Sequence, residues 1–361
     1  MRSESAPGAS AAPARVTIAD VARVAGVSKA TVSRFFNHRE ALLTPDIAAR
    51  VEAAIASLNY RPSPMAQALK RGSSRLIGMV VADVTNPYSV AVLRGAEKAC
   101  KDAGYLVMLF NLGNEPERER EAIATLSSYQ VDGFILNTFD HGGKGRAEVE
   151  RLGKLAVLVD RRHGRMSADF VSLDNAGAVE MAVAHLVDAG YRDLLYVTEP
   201  VRNVSSRLDR QAAFQACLTS HAGVHGAVFE SSGDDAGALD QAIARLHGRA
   251  GSDAAILSGN AVVTLRCAAA MMRLGLRFGA DVGFIGFDEL DWAPLVGPGL
   301  STIAQPTDAL GRLAARCLIE RLQGSPSPPR QILLSGELVV RGSSRRDAGM
   351  APSRPAAMPK G

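Results

Sequence analysis

The sequence predicts a small all-α domain at the N-terminus, followed by a larger α/β body of two doubly wound parallel sheets. Residues 15–61 contain three short segments in which apolar residues recur with helical spacing. From Leu76 onward, short β-branched runs alternate with longer amphipathic segments, the pattern of parallel strands covered by helices on both faces. This alternation restarts after Val171, so we expect two sheets in series.

Size and composition point to a globular protein of two or three domains. The chain has 361 residues, of which 47% are hydrophobic and 22% are charged. The net charge of +4 is unevenly distributed, because residues 15–75 hold ten Lys or Arg against four Asp or Glu. That segment therefore carries +6, residues 1–14 are neutral, and residues 76–361 carry about −2. A basic end on a nearly neutral body is typical of a nucleic-acid-binding module, although a basic surface alone would also fit a merely soluble domain.

The cysteines and the chain ends argue against several classes of protein. No pair of cysteine or histidine residues has zinc-ligand spacing, so we expect buried, reduced thiols at Cys100, Cys217, Cys267 and Cys317. We find no signal peptide and no apolar run of 18 residues, which favours a cytoplasmic protein without membrane contact. Residues 1–14 and 346–361 are predicted to be disordered tails. No cofactor, metal or catalytic residue is expected.

Polar loops follow the predicted strands of the body. Ligands of doubly wound proteins bind at the carboxyl ends of parallel strands, so these loops should form a binding cleft. The predicted strands are LIGMVVADV (76–84), YLVMLFN (105–111), VDGFILN (131–137), LAVLVD (155–160), LLYVTEP (194–200), AAILSGN (254–260) and VGFIGFDE (282–289).

The basic N-terminal end has the start and stop signals of a helix-turn-helix. Thr17 can cap a helix that begins near Ile18, and Gly26 allows a sharp turn after it. Ser28 can cap a second helix, and the Thr44–Pro45 pair starts a third. In such an arrangement the second helix lies in the major groove of DNA.

The second helix should therefore carry the base-reading side chains. Val32 and Phe35 fit the core, which turns Lys29, Ala30 and Arg34 outward. Lys and Arg can donate to guanine, and the alanine methyl can contact thymine. Short hydrogen-bonding side chains suited to phosphate contacts are Thr31, Ser33 and Asn37. The alternative is that Lys29 and Arg34 are ordinary solvated charges.

A connector at residues 62–74 separates this domain from the body. Ser63–Pro64 is a helix start and Gly72 is a natural stop, so we expect a hinge helix over 64–71. A helix of that length is unstable alone in water and needs a partner and DNA to form. Leu69 is apolar in an otherwise basic stretch next to Lys70.

These segments resemble the LacI/GalR family of transcriptional regulators. TIADVARVAGVSKATVSRFFN (17–37) is similar to the family's headpiece, and RVEAAIASLNYRPSPMAQALKRG (50–72) to its third helix and hinge. The resemblance continues through ADVTNPY, VDGFIL, GFDE and TIAQP, and covers nearly all of residues 15–344. It implies a homodimer on palindromic double-stranded operator DNA, with Leu69 wedged into the minor groove. The alternative for Leu69 is packing on its own domain. The predicted DNA-binding residues are Thr17, Ser28, Lys29, Ala30, Thr31, Ser33, Arg34, Asn37, Leu69 and Lys70.

The family's body is similar to periplasmic sugar-binding proteins, in which a ligand lies between two lobes. The resemblance implies an N-lobe of 75–172 and 304–336 and a C-lobe of 173–303 and 337–345, within a body of 75–345. Ala213 stands where glycine is common in the family. Asn-Ala at 260–261 departs from the family's usual Asn-Asp, and this departure puts the polar contacts around residue 260 in doubt. Matching the loops implies effector contacts from Asn86, Tyr88, Asp160, Arg161, Arg210, Asn260, Asp288, Trp292 and Gln305.

Arginines in the loop 201–210 suggest an anionic effector. Arg202 and Arg207 add to Arg210, and Arg161 lies in another cleft loop. Guanidinium groups bind carboxylates or phosphates through paired hydrogen bonds, which a neutral hexose does not require. The run VRNVSSR also resembles the sugar-acid-sensing branch of the family, so we expect an effector such as 2-ketogluconate or gluconate. Three alternatives remain: the effector is a neutral sugar, the effector acts as a corepressor, or the arginines are simply solvated.

Two other classes of protein compete with a regulator. An enzyme is disfavoured because HGGKGR (141–146) lacks Walker A spacing and no GxGxxG follows the first strand. His221 and His225 are four residues apart, and we expect both in a loop rather than in a metal site. A transport-type solute-binding protein would fit the body alone, but it would not carry the basic helical head.

Overall fold

The computed structural model describes residues 16–36, 43–61, 72–139, 141–162, 164, 167–202, 204–233 and 236–346. The predicted hinge helix, with Leu69 and Lys70, lies outside the described residues, as do Asn37 and the segments 1–14 and 347–361. The chain divides into two compact units, Met1–Ser74 and Arg75–Gly361. Within the described residues, no helix is long and apolar enough to cross a membrane.

The described residues of the first unit form three short helices: α1 (Ile18–Ala25), α2 (Lys29–Phe36) and α3 (Pro45–Ser57). Their apolar faces form one small core around the fully buried Val21, Val32 and Val51. Burial of these faces stabilises the helices, because eight-residue helices are marginal on their own in water.

Local side-chain contacts fix the ends of these helices. The Asp20 carboxylate accepts hydrogen bonds from the Thr17 backbone N–H (3.0 Å) and hydroxyl (2.8 Å). The Ser28 hydroxyl accepts from the Thr31 backbone N–H at 3.1 Å, which confirms the predicted cap of α2. Between them Gly26 adopts a left-handed conformation with φ of 63°. Arg50 of α3 closes the turn by donating to the Ala25 carbonyl at 2.6 Å and 3.1 Å.

The second unit contains two six-stranded sheets, each flanked by helices. Its strands are β1 (Leu76–Val81), β2 (Leu106–Asn111), β3 (Gly133–Asn137), β4 (Leu155–Val159), β5 (Asp169–Leu173), β6 (Asp193–Thr198), β7 (His225–Glu230), β8 (Ala254–Ser258), β9 (Gly283–Phe287), β10 (Ser301–Ala304), β11 (Gln331–Leu334) and β12 (Glu337–Val339). Its helices are α4 (Pro87–Asp102), α5 (Glu119–Ser128), α6 (Lys144–Arg151), α7 (Asn175–Asp188), α8 (Ser205–Ser220), α9 (Ala236–Ala250), α10 (Ala261–Leu274) and α11 (Thr307–Leu322).

Both sheets are doubly wound, which confirms the predicted fold class. The first sheet has the order β11-β5-β4-β3-β1-β2, and the second has the order β12-β10-β9-β8-β6-β7. Pairings are parallel except between β10 and β12, where the last strand runs antiparallel along the edge. The prediction of a loop at His225 was wrong, because this residue is the first of β7.

The chain passes between the two sheets at three points of its described part. It leaves the first sheet after β5, returns to it through α11 after β10, and leaves it again between β11 and β12. Ligand-facing loops at the carboxyl ends of the strands therefore come from both lobes of one unit.

Helices α4 and α11 pack backbone against backbone on the first sheet, and glycine makes this possible. A Cβ on Gly311 would overlap the Val92 carbonyl oxygen and lie 2.7 Å from the Ala96 nitrogen. We expect Gly311→Ala to lower the free energy of unfolding by about 1–3 kcal/mol, because the two helices must move apart. Denaturant titration of the full chain measures this change.

Gly248 of α9 is the matched control for that substitution. It is also a helical glycine, but a Cβ there meets nothing within 4 Å. We expect Gly248→Ala to stabilise the protein by about 0.5–1 kcal/mol through the better helix propensity of alanine. Equal effects of the two substitutions would show that the close approach at Gly311 is unimportant.

Candidate nucleic-acid interface and ligand cavity

The exposed face of α2 carries the predicted base-reading side chains. Lys29, Ala30 and Arg34 are exposed, whereas Val32 is fully buried and Phe35 packs against the core. The two long cations thus project from the helix that follows the left-handed turn at Gly26. This is the geometry in which a second helix can enter the major groove.

The other predicted DNA-binding side chains of the described residues lie at the starts of α1 and α2 and along α2. Thr17 and Ser28 are exposed, and Thr31 and Ser33 are half-buried. The Ser28 and Thr31 hydroxyls lie 2.9 Å apart, so each already has a local hydrogen-bond partner. These hydroxyls order the helix start before any phosphate contact is made.

A small cavity lies between the two lobes of the second unit, at the carboxyl ends of their strands. Its volume of about 30 Å³ leaves room for one or two water molecules. Polar and charged side chains dominate its lining. The cavity is lined by Asn86, Tyr88, Asn137, Asp160, Arg161, Ser206, Arg207, Arg210, Asn260 and Gln305.

Arg210 of α8 lies in the cavity lining, where protein groups accept hydrogen bonds from all three of its guanidinium nitrogens. Its Nε donates to Asn175 Oδ1 at 2.7 Å and its Nη1 to the Gly259 carbonyl at 2.5 Å. The guanidinium carbon lies 4.3 Å from the centre of the Phe287 ring, in cation–π contact. Gln305 Oε1 accepts from Nη2 at 3.5 Å. Arg210 is thereby fixed in one position.

Arg207, one turn earlier on α8, is neutralised by an acidic partner. Its Nη2 donates to Glu199 Oε2 at 2.5 Å, and its Nη1 donates to the Pro200 carbonyl at 2.8 Å. The same Glu199 oxygen accepts from Asn260 Nδ2 at 2.6 Å. Asn260 also caps α10, since its Oδ1 accepts from the Val263 N–H at 2.9 Å.

The Asp288 carboxylate binds the side chain of Gln305, a residue of the cavity lining. Its Oδ1 accepts from Gln305 Nε2 at 2.6 Å, and its Oδ2 accepts from the Ala261 N–H at 2.9 Å. Burial raises the pKa of Asp288, against the opposing pull of Arg210 and these hydrogen bonds. Asn-Ala at 260–261 therefore still provides polar contacts, through the Asn260 side chain and the Ala261 backbone.

The N-lobe side of the cavity combines a buried aspartate, an arginine and a tyrosine. Asp160 has a left-handed backbone (φ 65°) and accepts a hydrogen bond from Ser206 at 3.1 Å, which joins the two lobes. Arg161 stacks on Phe139, with 4.5 Å between the guanidinium carbon and the ring centre. Burial raises the pKa of the Tyr88 hydroxyl well above its usual range, and the Asp160 charge raises it further. Tyr88 therefore stays protonated and can donate.

Three residues predicted as effector contacts do not belong to the cavity lining, namely Arg202, Trp292 and Asp288, which contacts the lining residue Gln305 from outside it. Arg202 is exposed, and Trp292 packs against the core of the second lobe beside Leu290 and Val296. Sequence reasoning missed Asn137, Ser206 and Glu199. Asn137 and Glu199 stand at or just after the ends of predicted strands, so the loop argument could have included them.

Models of two known families match the two parts of the chain. Residues 17–63 match the model described as bacterial regulatory proteins of the lacI family, and residues 183–344 match a periplasmic binding protein-like domain. The HTH-type transcriptional regulator PtxS of Pseudomonas aeruginosa is 46% identical over 332 residues, which cover 91% of this chain and 96% of the relative. The chain belongs to the LacI family of bacterial regulatory proteins. It is accordingly a DNA-binding transcriptional regulator, and its relatives are regulators rather than enzymes.

Further relatives and a solved structure agree with this assignment. The HTH-type transcriptional regulator KdgR of Bacillus subtilis is 39% identical, over 91% of this LacI-family chain and 97% of the relative. A crystal structure of the lac repressor dimer bound to operator and the anti-inducer ONPF is similar with a TM-score of 0.80 and 26% identity. That match covers 92% of this chain and 99% of the repressor chain.

Proposed function

We propose that this LacI-family regulator is a repressor that binds a near-palindromic operator as a homodimer and responds to a small sugar acid. The second helix of each headpiece would read one half-site through Lys29, Ala30 and Arg34. The predicted hinge, with Leu69 and Lys70, would add contacts at the operator centre. Because one short helix offers few base contacts, affinity should depend on two headpieces together. Such a protein acts where the DNA is, in the bacterial cytoplasm.

The charge of the cavity supports an acidic effector. Three arginines and one aspartate line the cavity, and with Arg207 neutralised by Glu199 the lining keeps one positive charge in excess. An anion such as 2-ketogluconate or gluconate would match that excess, and its hydroxyl groups would match the surrounding amide and carboxylate acceptors. A neutral hexose would leave buried arginine donors without an anionic partner.

The size of the cavity supports a linkage between effector binding and movement of the lobes. A six-carbon acid does not fit into about 30 Å³, so the lobes must separate or rotate to admit it. Movement of the N-lobe would alter the pairing of hinge helices in the dimer and change operator affinity. By reciprocity, the operator must change effector affinity by the same factor.

Calorimetric titration of the full-length protein tests this proposal. We expect heat of binding with one of 2-ketogluconate, gluconate, 2-keto-3-deoxygluconate or their phosphates, and weaker binding of neutral hexoses. The acid that binds should also change operator affinity in a gel-shift assay, and the direction of the change distinguishes an inducer from a corepressor. Binding to neutral sugars alone would refute an acidic effector.

A further inference from the structure

The three arginines of the cavity differ in how many of their hydrogen bonds are already made. Arg207 is bound to Glu199 and to the Pro200 carbonyl, and Arg210 donates through all three of its nitrogens. Both guanidinium groups are thus held by the protein itself. Replacing either arginine would disturb the contacts between α8 and its neighbours, so a loss of ligand binding in such a variant would not identify a ligand contact.

Arg161 is the exception among these arginines within the described part of the chain. Its side chain is 10% exposed, and its Nε and Nη1 are buried without a hydrogen-bond partner among the residues that the structure describes. Nε lies 3.5 Å from Asp160 Oδ2, which is an ion-pair distance, but no hydrogen bond forms there. The Phe139 ring holds the guanidinium in place without using any of its N–H groups.

The hydroxyl of Tyr88 is a second buried donor of this kind in the described residues. Tyr88 lines the same cavity, is 7% exposed, and its hydroxyl is buried without a hydrogen-bond partner in the described residues. Leaving buried donors unsatisfied is costly, and more so when the donor is charged. A ligand that supplies acceptor oxygens with a negative charge would remove that cost at both residues.

We propose that Arg161, assisted by the Tyr88 hydroxyl, binds the carboxylate of the effector and selects sugar acids over neutral sugars. Arg207 and Arg210 then act as positioning residues that shape the cavity. This inference rests on the proposed function, because it assigns the acid-recognising end of the same site. Charge-assisted hydrogen bonds to a carboxylate are about twice as strong as neutral ones, so discrimination should be concentrated at Arg161.

Two matched sugars separate the contribution of the carboxylate to binding from that of the rest of the effector. D-Fructose has the carbon skeleton and hydroxyl configuration of 2-ketogluconate, with a hydroxymethyl group in place of the carboxylate. We expect Arg161→Ala to weaken 2-ketogluconate binding by about 100-fold and fructose binding by less than about threefold, because truncating one partner of a buried charge pair is costly. Tyr88→Phe should weaken only the acid, by about five- to tenfold.

The control is Arg273→Ala, which removes an arginine from a surface ion pair with Asp240 and should leave both affinities unchanged. Arg161→Gln is measured alongside, and circular dichroism shows that each variant is folded. A wild-type protein that binds no sugar acid would overturn the proposed function and this assignment together. Retained preference for the acid in Arg161→Ala and Arg161→Gln, or equal losses for acid and fructose, would overturn the assignment alone.

Discussion

Replacing Arg34 by alanine is expected to weaken operator binding by the full-length protein by at least about 30-fold. A well-formed guanine contact is worth about 1–3 kcal/mol, and a dimer loses it in both headpieces. The fold should survive, because Arg34 is exposed and outside the small core of α1 to α3. Fluorescence anisotropy at fixed salt, with an operator selected from random duplexes, measures the loss.

Arg23→Ala is the control for this substitution, since it removes the same charge from α1. Arg23 is exposed, and its Nη2 lies 3.4 Å from Asp20 Oδ1 in a surface ion pair. Its loss should weaken binding to the operator and to a scrambled duplex by similar factors, as expected for electrostatic attraction to phosphates. If Arg34→Ala also weakened both duplexes equally, Arg34 would be a phosphate contact rather than a base reader.

Replacing Asp169 by alanine is expected to lower the free energy of unfolding of the body by about 1–3 kcal/mol, because it removes a buried carboxylate and the hydrogen bonds that it accepts from Arg321 and Arg330. Asp169 begins β5, and its side chain is fully buried. It accepts from Arg321 of α11 at 2.9 Å and 3.1 Å, and from the Arg330 backbone N–H at 2.7 Å. One carboxylate thus joins β5, α11 and the segment before β11. Denaturant titration gives the loss directly.

The same substitution should change how stability depends on pH. Burial opposes ionisation, but hydrogen bonds from Arg321 and Arg330 outweigh it and lower the pKa of Asp169 to about 2. A lowered pKa in the folded state means that the carboxylate stabilises the protein above about pH 4 and that this contribution is lost as the pH falls towards 2. The difference between wild type and Asp169→Ala should therefore shrink over that window.

Asp240→Ala provides the matched control for Asp169→Ala. Asp240 also binds an arginine through two hydrogen bonds, of 2.7 Å and 2.8 Å to Arg273. That arginine is 45% exposed, and pairs at the surface contribute about 0–1 kcal/mol. Similar losses for the two aspartates would contradict a special role for the buried one.

The features predicted most accurately from the sequence are those that depend on residues close together in the chain. Residues within a few positions of each other determine the turn at Gly26, the caps at Thr17 and Ser28, and the outward face of α2. The alternation of strands and helices likewise predicted two parallel sheets and the loops that meet at the cavity. These features follow from periodicity and short-range hydrogen bonding.

Contacts that depend on how the segments fold together could not be predicted. The segment 201–210 suggested three arginines for an anionic effector, but Glu199 neutralises Arg207, and Arg202 lies exposed outside the cavity. Trp292 was predicted as an effector contact, yet its side chain packs against the core of the second lobe. The antiparallel pairing of β12 at the sheet edge also depends on the path of the chain between the lobes, which periodicity does not reveal.

If the proposed effector binds in the cavity between the lobes, the small volume of that cavity would also limit how fast the regulator responds. An effector that enters only when the lobes separate binds no faster than they separate, so its association rate reaches a plateau at high concentration. Once enclosed, it leaves only when the lobes separate again. The occupied state would then outlast a brief pulse of effector, and transcription would follow a time-averaged concentration rather than each fluctuation.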